Sequence, residues 1–81
     1  METKPYNIYL KEFGENLRLI RQRHGLTMET LASDAEIEYR HLGRIERGEI
    51  NTTIISLLKI AKVLNVDIKM LFDFESEIKN K

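Results

Sequence analysis

Two arginines four residues apart stand in a short segment rich in side chains that can form hydrogen bonds. Arg40 and Arg44 share one face if this segment is helical, and Tyr39 and His41 lie beside them. A guanidinium group can donate two hydrogen bonds to the O6 and N7 atoms of guanine, and the major groove of duplex DNA admits a helix. This spacing therefore favours the recognition of base edges. A solvated charged face is the alternative interpretation.

The chain offers little for catalysis or metal binding. His24 and His41 are its two histidines, and it contains no cysteine and no HExxH-like spacing. Ser33 and Ser56 have no partner in a recognised arrangement of nucleophile and base. We predict that the protein is not an enzyme and that it uses no metal, cofactor or small-molecule ligand.

Two short helices joined by a tight turn are the elements that must position the two arginines. Ala32 is a small residue at a point where two helices can approach closely. Leu42 and Ile45 lie three residues apart, on one face of the second helix. A short connection breaks the apolar periodicity between the two helices at Asp34, Ala35, Glu36 and Glu38. The segment 27–48 is therefore predicted to be a helix-turn-helix whose second helix directs its arginines outward.

The helix boundaries follow from residues that typically cap helices. Thr27 and Glu38 are predicted to cap the two helices of this motif, and Gly48 is predicted to end the second one. Asp67 is the predicted N-cap of a last short helix, in which Leu71 belongs to the core. Five helices are predicted, at residues 7–23, 28–34, 39–47, 54–64 and 68–72. No segment alternates as a strand does, so the predicted fold class is all-α.

Composition limits the class of protein. The chain has 81 residues, of which 42% are hydrophobic, and we expect one small domain without disulfides over residues 1–81. Its core is expected at 7–72, with extensions at 1–6 and 73–81. No apolar run is long enough to span a membrane, and the first residues lack a signal-peptide pattern. These observations predict a cytoplasmic protein with no membrane partner.

The charge balance of the whole chain gives weak support to nucleic-acid binding. Thirteen basic and 13 acidic residues give a formal net charge of zero, whereas proteins that bind nucleic acid usually carry excess positive charge. Basic side chains are nevertheless concentrated at 40–47. We expect acidic residues near the same surface to limit non-specific affinity: Glu29, Asp34, Glu36, Glu38 and Glu49.

The segment 27–48 resembles the helix-turn-helix of the lambda-repressor and Cro family, also called XRE-type. The similarity extends over 13–72 and rests on the order of several short matches: FGENLRLIRQRHGLT, the LA at 31–32, RIERGE at 44–49, ISLLKIAKVLNV and MLF. The resemblance implies a compact five-helix, lambda-repressor-like DNA-binding domain with the helix-turn-helix at helices 2 and 3. The size is similar to that of restriction-modification controller proteins.

The resemblance also implies which residues touch DNA. Side chains on the outer face of the second helix are expected to contact base edges: Tyr39, Arg40, His41 and Arg44. Residues at the start of the first helix of the motif, and at and after the end of its second helix, are expected to contact phosphate: Thr27, Met28, Arg47, Asn51, Thr52 and Thr53. Met28 replaces the family's usual glutamine, so its contact must come from the backbone. Glu36 replaces a common glycine, at a turn that can require a positive φ.

The resemblance also implies one salt bridge with a structural role. Arg21 and Glu46 match positions that family members often use as a salt bridge between the first and third helices. We predict that this pair holds the third helix in place. Direct contact between Arg21 and phosphate is the alternative.

The predicted function is that of a transcriptional regulator that binds double-stranded DNA sequence-specifically. One helix covers only a few base pairs, so we expect a homodimer on a palindromic operator, acting as a stand-alone repressor or controller protein. The expected dimer interface is Val66, Ile68, Met70, Phe72 and Phe74. Two alternatives stay open: an antitoxin, and a protein-interaction module with weak or no DNA binding. A steep salt dependence would distinguish DNA binding from the second of these.

Overall fold

Four α-helices and one short 3₁₀ helix form the secondary structure of residues 4–78, which are the residues that the computed structural model describes. The elements follow in the order α1 (Lys4–Arg23), α2 (Met28–Ala35), α3 (Tyr39–Glu46), α4 (Ile54–Leu64) and the 3₁₀ helix (Ile68–Phe72). No strand occurs in this part of the chain, which confirms the predicted all-α class. Among the described residues, no helix is both long and apolar enough to cross a membrane.

One apolar core joins the helices. On α1, apolar residues spaced four and three apart turn the same stripe inward, as an amphipathic helix requires. Leu71 of the 3₁₀ helix is fully buried, as predicted, and closes the core from the C-terminal side. The buried apolar residues are Phe13, Leu17, Ile20, Leu31, Ala32, Ala35, Leu42, Ile45, Leu57, Ile60, Ala61, Leu64 and Leu71. Burial of each larger side chain contributes about 1.5–3 kcal/mol to folding.

Side-chain caps fix the start of three helices. The Thr27 hydroxyl accepts a hydrogen bond from the backbone N–H of Thr30 at 3.1 Å, as predicted for the start of α2. Thr53 caps α4 in the same way, through the N–H of Ser56 at 3.1 Å. The Asp67 carboxylate caps the 3₁₀ helix. Each cap satisfies an N–H group that the helix itself leaves without a partner.

The structure corrects three predictions about helix ends. Glu38 precedes α3 in extended conformation, but its side chain makes no capping hydrogen bond, so the predicted side-chain cap is wrong. The helix α1 begins at Lys4 instead of Asn7. Pro5 is compatible with this earlier start, since the first turn of a helix does not need its N–H. The fifth helix has 3₁₀ geometry.

The turn between α2 and α3 requires a left-handed residue. Glu36 has φ 57° and ψ 46°, and its N–H donates back to the end of α2. Glycine adopts this conformation without a Cβ penalty, whereas glutamate does not. The departure from glycine noted in the sequence therefore places strain of about 1 kcal/mol in the helix-turn-helix.

Two glycines let α1 cross close to the end of α3. A Cβ atom on Gly14 would lie 2.6 Å from the carbonyl oxygen of Ile45 and closer still to that of Glu46. A Cβ on Gly48, which has φ 71°, would lie 2.5 Å from the Cα of Lys11. Since both obstacles are backbone atoms, larger residues could not enter without moving one helix. The glycines therefore set the position of α3 against α1.

Candidate nucleic-acid interface

The helix α3 divides into a buried face and an exposed face. Leu42 and Ile45 are buried in the core, as their spacing predicted. Tyr39 is 53% exposed, and Arg40 and Arg44 are exposed as well. The inward residues fix the rotation of the helix about its axis. As a result, the three outward side chains are presented together to solvent.

A buried ion pair anchors α3 to α1. Arg21 Nε donates to Glu46 Oε2 at 2.7 Å, and Arg21 Nη2 donates to Oε1 at 3.0 Å. The two side chains are 11% and 1% exposed. A third donor, Arg21 Nη1, reaches the carbonyl oxygen of Leu26 at 2.9 Å, and Arg18 Nε lies 3.7 Å from Oε1. The guanidinium is therefore committed to the interior and is not available for phosphate.

The loop after α3 is tied back to the exposed half of that helix. His41 Nε2 and the hydroxyl of Thr52 lie 2.9 Å apart, within hydrogen-bonding distance. Both residues are half-buried, while the neighbouring Asn51 and Thr53 are exposed. This contact brings predicted base-reading and phosphate-binding residues into one surface. The bond also uses one ring nitrogen of His41.

A Schellman motif ends α3 and places an acidic residue among its arginines. The N–H of Gly48 donates to the carbonyl of Ile45 at 3.0 Å, and the N–H of Glu49 donates to the carbonyl of Arg44 at 2.9 Å. The carboxylate of Glu49 then receives hydrogen bonds from Arg47 Nε at 2.8 Å and from Nη2 at 3.3 Å. Arg44 Nε lies farther away, at 3.9 Å.

The electrostatics of this group follow from the same contacts. The hydrogen bond from Arg47 holds the pKa of the Glu49 carboxyl below its usual value, and the charges of Arg47, Arg44 and Lys11 act in the same direction. The reciprocal bond raises the pKa of Arg47. Both groups are therefore ionised at neutral pH. Sequence inspection placed Glu49 near this surface, but the direct pairing depends on the turn that Gly48 makes.

The start of α2 supplies the other predicted phosphate contacts. Thr27 is exposed, and its hydroxyl is shared between capping α2 and a 3.0 Å bond to the hydroxyl of Thr30. Met28 is half-buried and packs against the core. Its side chain therefore has a structural role, and its backbone N–H lies in the first turn, where helices leave such donors free for anions.

The residues predicted for a dimer interface do not form one continuous exposed surface. Val66 and Ile68 are half-buried against the core. Phe74 is also half-buried and packs against Tyr9, with ring centroids 5.0 Å apart. Met70 and Phe72 are exposed. Of the five predicted residues, these last two are the ones exposed enough to contact a second protein surface, at 41% and 42%.

Exposed apolar residues on α4 were missed by sequence reasoning. Ile54, Ile55 and Leu58 are all exposed, Ile55 to 63%. Leu57, on the buried side of α4, and Phe72 of the 3₁₀ helix line one cavity of about 210 Å³. Apolar periodicity alone could not separate these exposed residues from the buried ones, because both groups are apolar and are interspersed along the same helix.

These features define a helix-turn-helix protein: the chain belongs to the helix-turn-helix family HTH_3, which matches residues 17–71. The resemblance drawn from sequence is thereby confirmed. Among curated relatives, the control protein C.BamHI from Bacillus amyloliquefaciens is 35% identical over 63 residues, or 76% of this chain and 78% of that protein. The transcriptional regulator SlrR from Bacillus subtilis is 33% identical over 69 residues, which cover 84% of this chain but 45% of SlrR.

A solved structure shares the fold. The restriction-modification controller protein C.AhdI from Aeromonas hydrophila superposes with a TM-score of 0.76 at 36% identity. The match covers 78% of this chain and 96% of C.AhdI. The present chain is therefore similar to a controller protein over nearly all of that protein's length.

Proposed function

We propose that the protein is a transcriptional regulator that binds double-stranded DNA sequence-specifically by inserting α3 into the major groove. The observation that carries this proposal is the division of α3 into two faces. Its inner face is fixed by Leu42, Ile45 and the ion pair of Glu46, while Tyr39, Arg40 and Arg44 project outward. A helix held rigidly with arginines on its free face matches what base recognition requires.

The proposed contacts fall into two groups. Arg40 and Arg44 read guanine, Tyr39 contributes a hydroxyl and an apolar ring, and His41 uses the ring nitrogen that is not bonded to Thr52. Phosphate contacts hold the helix in register. We assign them to the backbone at the start of α2 and to the loop after α3: Thr27, Met28, Arg47, Asn51, Thr52 and Thr53.

A homodimer on a palindromic operator is part of the proposal. Two copies of α3 reading half-sites about one DNA turn apart would give the specificity that one copy lacks. Exposed apolar residues on α4 and the 3₁₀ helix support a second copy as partner, because contact with another protein surface would remove them from water. We place Ile54, Ile55, Leu58, Met70 and Phe72 at this interface. Val66, Ile68 and Phe74 support it from beneath.

The oligomeric state can be tested with matched variants. Ile55→Asp puts a charge in the proposed interface and should give a monomer in sedimentation equilibrium at micromolar concentration. Gln22→Asp introduces a negative charge at an exposed position of α1 outside the proposed interface, and that variant should sediment as the wild type does. A wild-type monomer, or equal effects of both substitutions, would contradict the interface.

The role of a controller protein is the form of regulation that we favour. This preference rests on similarity to proteins described as control or controller proteins, one of which is matched over 96% of its length. Because the proposed function is to bind DNA, we place the protein in the cytoplasm.

Fluorescence anisotropy tests the DNA-binding proposal. The protein is titrated into duplex DNA from upstream of its own gene and into an unrelated duplex, at two salt concentrations. We expect tight, salt-sensitive binding that prefers the upstream duplex and is lost in Arg40→Ala/Arg44→Ala. The control Lys62→Ala/Lys69→Ala removes the same charge from α4 and the 3₁₀ helix and should retain the preference.

The opposite outcome is equally definite. Weak binding that is equal for both duplexes and unchanged in the arginine variant would refute sequence-specific recognition by α3. A protein-interaction module would then be the better assignment, and affinity capture of a protein partner would follow.

A further inference from the structure

We propose that Glu49 competes with DNA phosphate for Arg47, so that this carboxylate sets how strongly the protein binds any duplex. The inference rests on the proposed function, since it concerns how α3 meets the DNA backbone. It assigns a specific role to one acidic residue whose charge alone does not distinguish it from other surface carboxylates.

The geometry of the pair resembles that of an arginine bound to phosphate. Two nitrogens of Arg47, Nε and Nη2, face the two carboxylate oxygens of Glu49 at 2.8 and 3.3 Å. Guanidinium groups bind carboxylate and phosphate through the same parallel pair of N–H donors. In the free protein the Nε/Nη2 edge of the Arg47 guanidinium is therefore already occupied. Arg47 can offer this edge to phosphate only by exchanging one anion for another.

The carboxylate is held in place by the backbone. Because Gly48 has φ 71°, the chain reverses at the end of α3 and the Glu49 N–H bonds the carbonyl of Arg44 at 2.9 Å. An ordinary surface ion pair must order two flexible side chains, which makes most of them weak. Here the residue that carries the carboxylate is fixed at the helix end. The backbone that carries the competing carboxylate is thus held beside Arg47.

Arg47 and Glu49 are nevertheless exposed enough for a phosphate to replace Glu49 as the partner of Arg47. The side chains of Arg47 and Glu49 are 52% and 48% exposed, so an approaching phosphate can reach both. Arg44 lies 3.9 Å from the same carboxylate, too far for a hydrogen bond, and keeps its donors for base edges. Competition therefore acts on backbone affinity more than on base recognition.

The test is a double-variant cycle measured by anisotropy on one unrelated duplex, which reports backbone affinity. We expect Glu49→Gln to tighten binding by roughly two- to fivefold per protomer at low salt, the range of exposed ion pairs. The slope of log affinity against log salt concentration should steepen by up to about one unit. In this variant Arg47 can displace a DNA counterion without leaving a Glu49 carboxylate unpaired beside the phosphate. Both changes should vanish when Arg47→Ala is present.

A matched control separates competition from simple loss of negative charge. Glu29→Gln removes the same charge from an exposed position in the first turn of α2, and any gain that it gives should be independent of Arg47. The Nε–Hε resonance of Arg47 in the free protein provides a readout that needs no DNA. This resonance should shift in Glu49→Gln and should not shift in Glu29→Gln.

The outcomes distinguish this inference from the function on which it rests. If wild type binds DNA and Glu49→Gln binds no better, or if its gain persists in Arg47→Ala, the competition is refuted while DNA binding stands. If neither wild type nor any variant binds a duplex, both the inference and the proposed function fail.

Discussion

The buried pair of Arg21 and Glu46 provides the most direct test of how α3 is held. In Arg21→Ala, the Glu46 carboxylate, which is 1% exposed in the wild type, loses two hydrogen bonds, of 2.7 and 3.0 Å. Arg18, whose Nε lies 3.7 Å from Glu46 Oε1, is a cation left near the carboxylate, and its own side chain is 44% exposed. Removing one partner of a buried pair typically costs about 3–5 kcal/mol. We expect this variant to lose that much unfolding free energy.

The size of that loss is large for a chain of this length. At roughly 0.05–0.15 kcal/mol per residue, 81 residues give a total stability of about 4–12 kcal/mol. Glu46→Ala should cost less than Arg21→Ala, about 3 kcal/mol, because Arg21 retains its bond to the carbonyl of Leu26 and reaches some water. In Arg21→Met/Glu46→Leu no charge is left unpaired, and we expect stability within about 1 kcal/mol of the wild type.

Urea denaturation followed by circular dichroism at 222 nm measures all four proteins. The expected pattern is two destabilised single variants and one recovered double variant. Single variants that each lose less than about 1 kcal/mol would show that the pair is not a buried anchor. A double variant as unstable as Arg21→Ala would show that side-chain shape, and not charge pairing, is what α1 and α3 require.

Three further predictions concern the turn, the helix crossing and DNA contact. Glu36→Gly should raise the free energy of unfolding by roughly 0.5–1 kcal/mol, because it removes the strain of a left-handed glutamate. Asn65→Gly, at the same φ of 57°, should raise it less, because asparagine tolerates that conformation. Equal increases for the two variants in urea denaturation would contradict this explanation. Gly14→Ala should cost about 1–3 kcal/mol in the same assay, since its Cβ meets backbone that cannot rotate away; an unchanged midpoint would show that α1 shifts freely. Arg44→Ala should relax base preference at one position by about 1–3 kcal/mol, measured as anisotropy over a panel of operator variants. Arg47→Ala should weaken binding to every duplex alike, and a uniform loss in both variants would contradict the division between base and backbone contacts.

Sequence patterns predicted the helices well where two independent signals agreed. The helix α4 begins and ends at the predicted residues, because a threonine cap stands immediately before a strongly apolar segment. The start of α1 was placed three residues late, although Thr3 and Pro5 are residue types that commonly stand at a helix start. Glu38 was assigned as a cap from its position alone, but its side chain makes no capping hydrogen bond. The start of α3 was nevertheless predicted correctly at Tyr39, so that boundary did not depend on a side-chain cap.

Other features depend on distances that sequence does not contain. Gly14 lies inside α1, where a glycine normally weakens a helix, and its purpose is visible only when α3 is placed against it. Ile54, Ile55 and Leu58 follow the same apolar pattern as buried residues of α4, so periodicity could not show that they face solvent. Burial against other elements, and not hydrophobicity, separates the two sets.

The position of two acidic residues resolves the conflict between zero net charge and a DNA-binding surface. Glu46 lies within the recognition segment, yet its carboxylate is buried against Arg21 and presents almost no charge to solvent. Glu49 is exposed, but its carboxylate accepts hydrogen bonds from the guanidinium of Arg47. Formal charge therefore overstates the negative potential at the outer face of α3. Under the proposed function, the cations that DNA would meet there first are Arg40 and Arg44, and Arg44 lies 3.9 Å from Glu49 without a hydrogen bond to it.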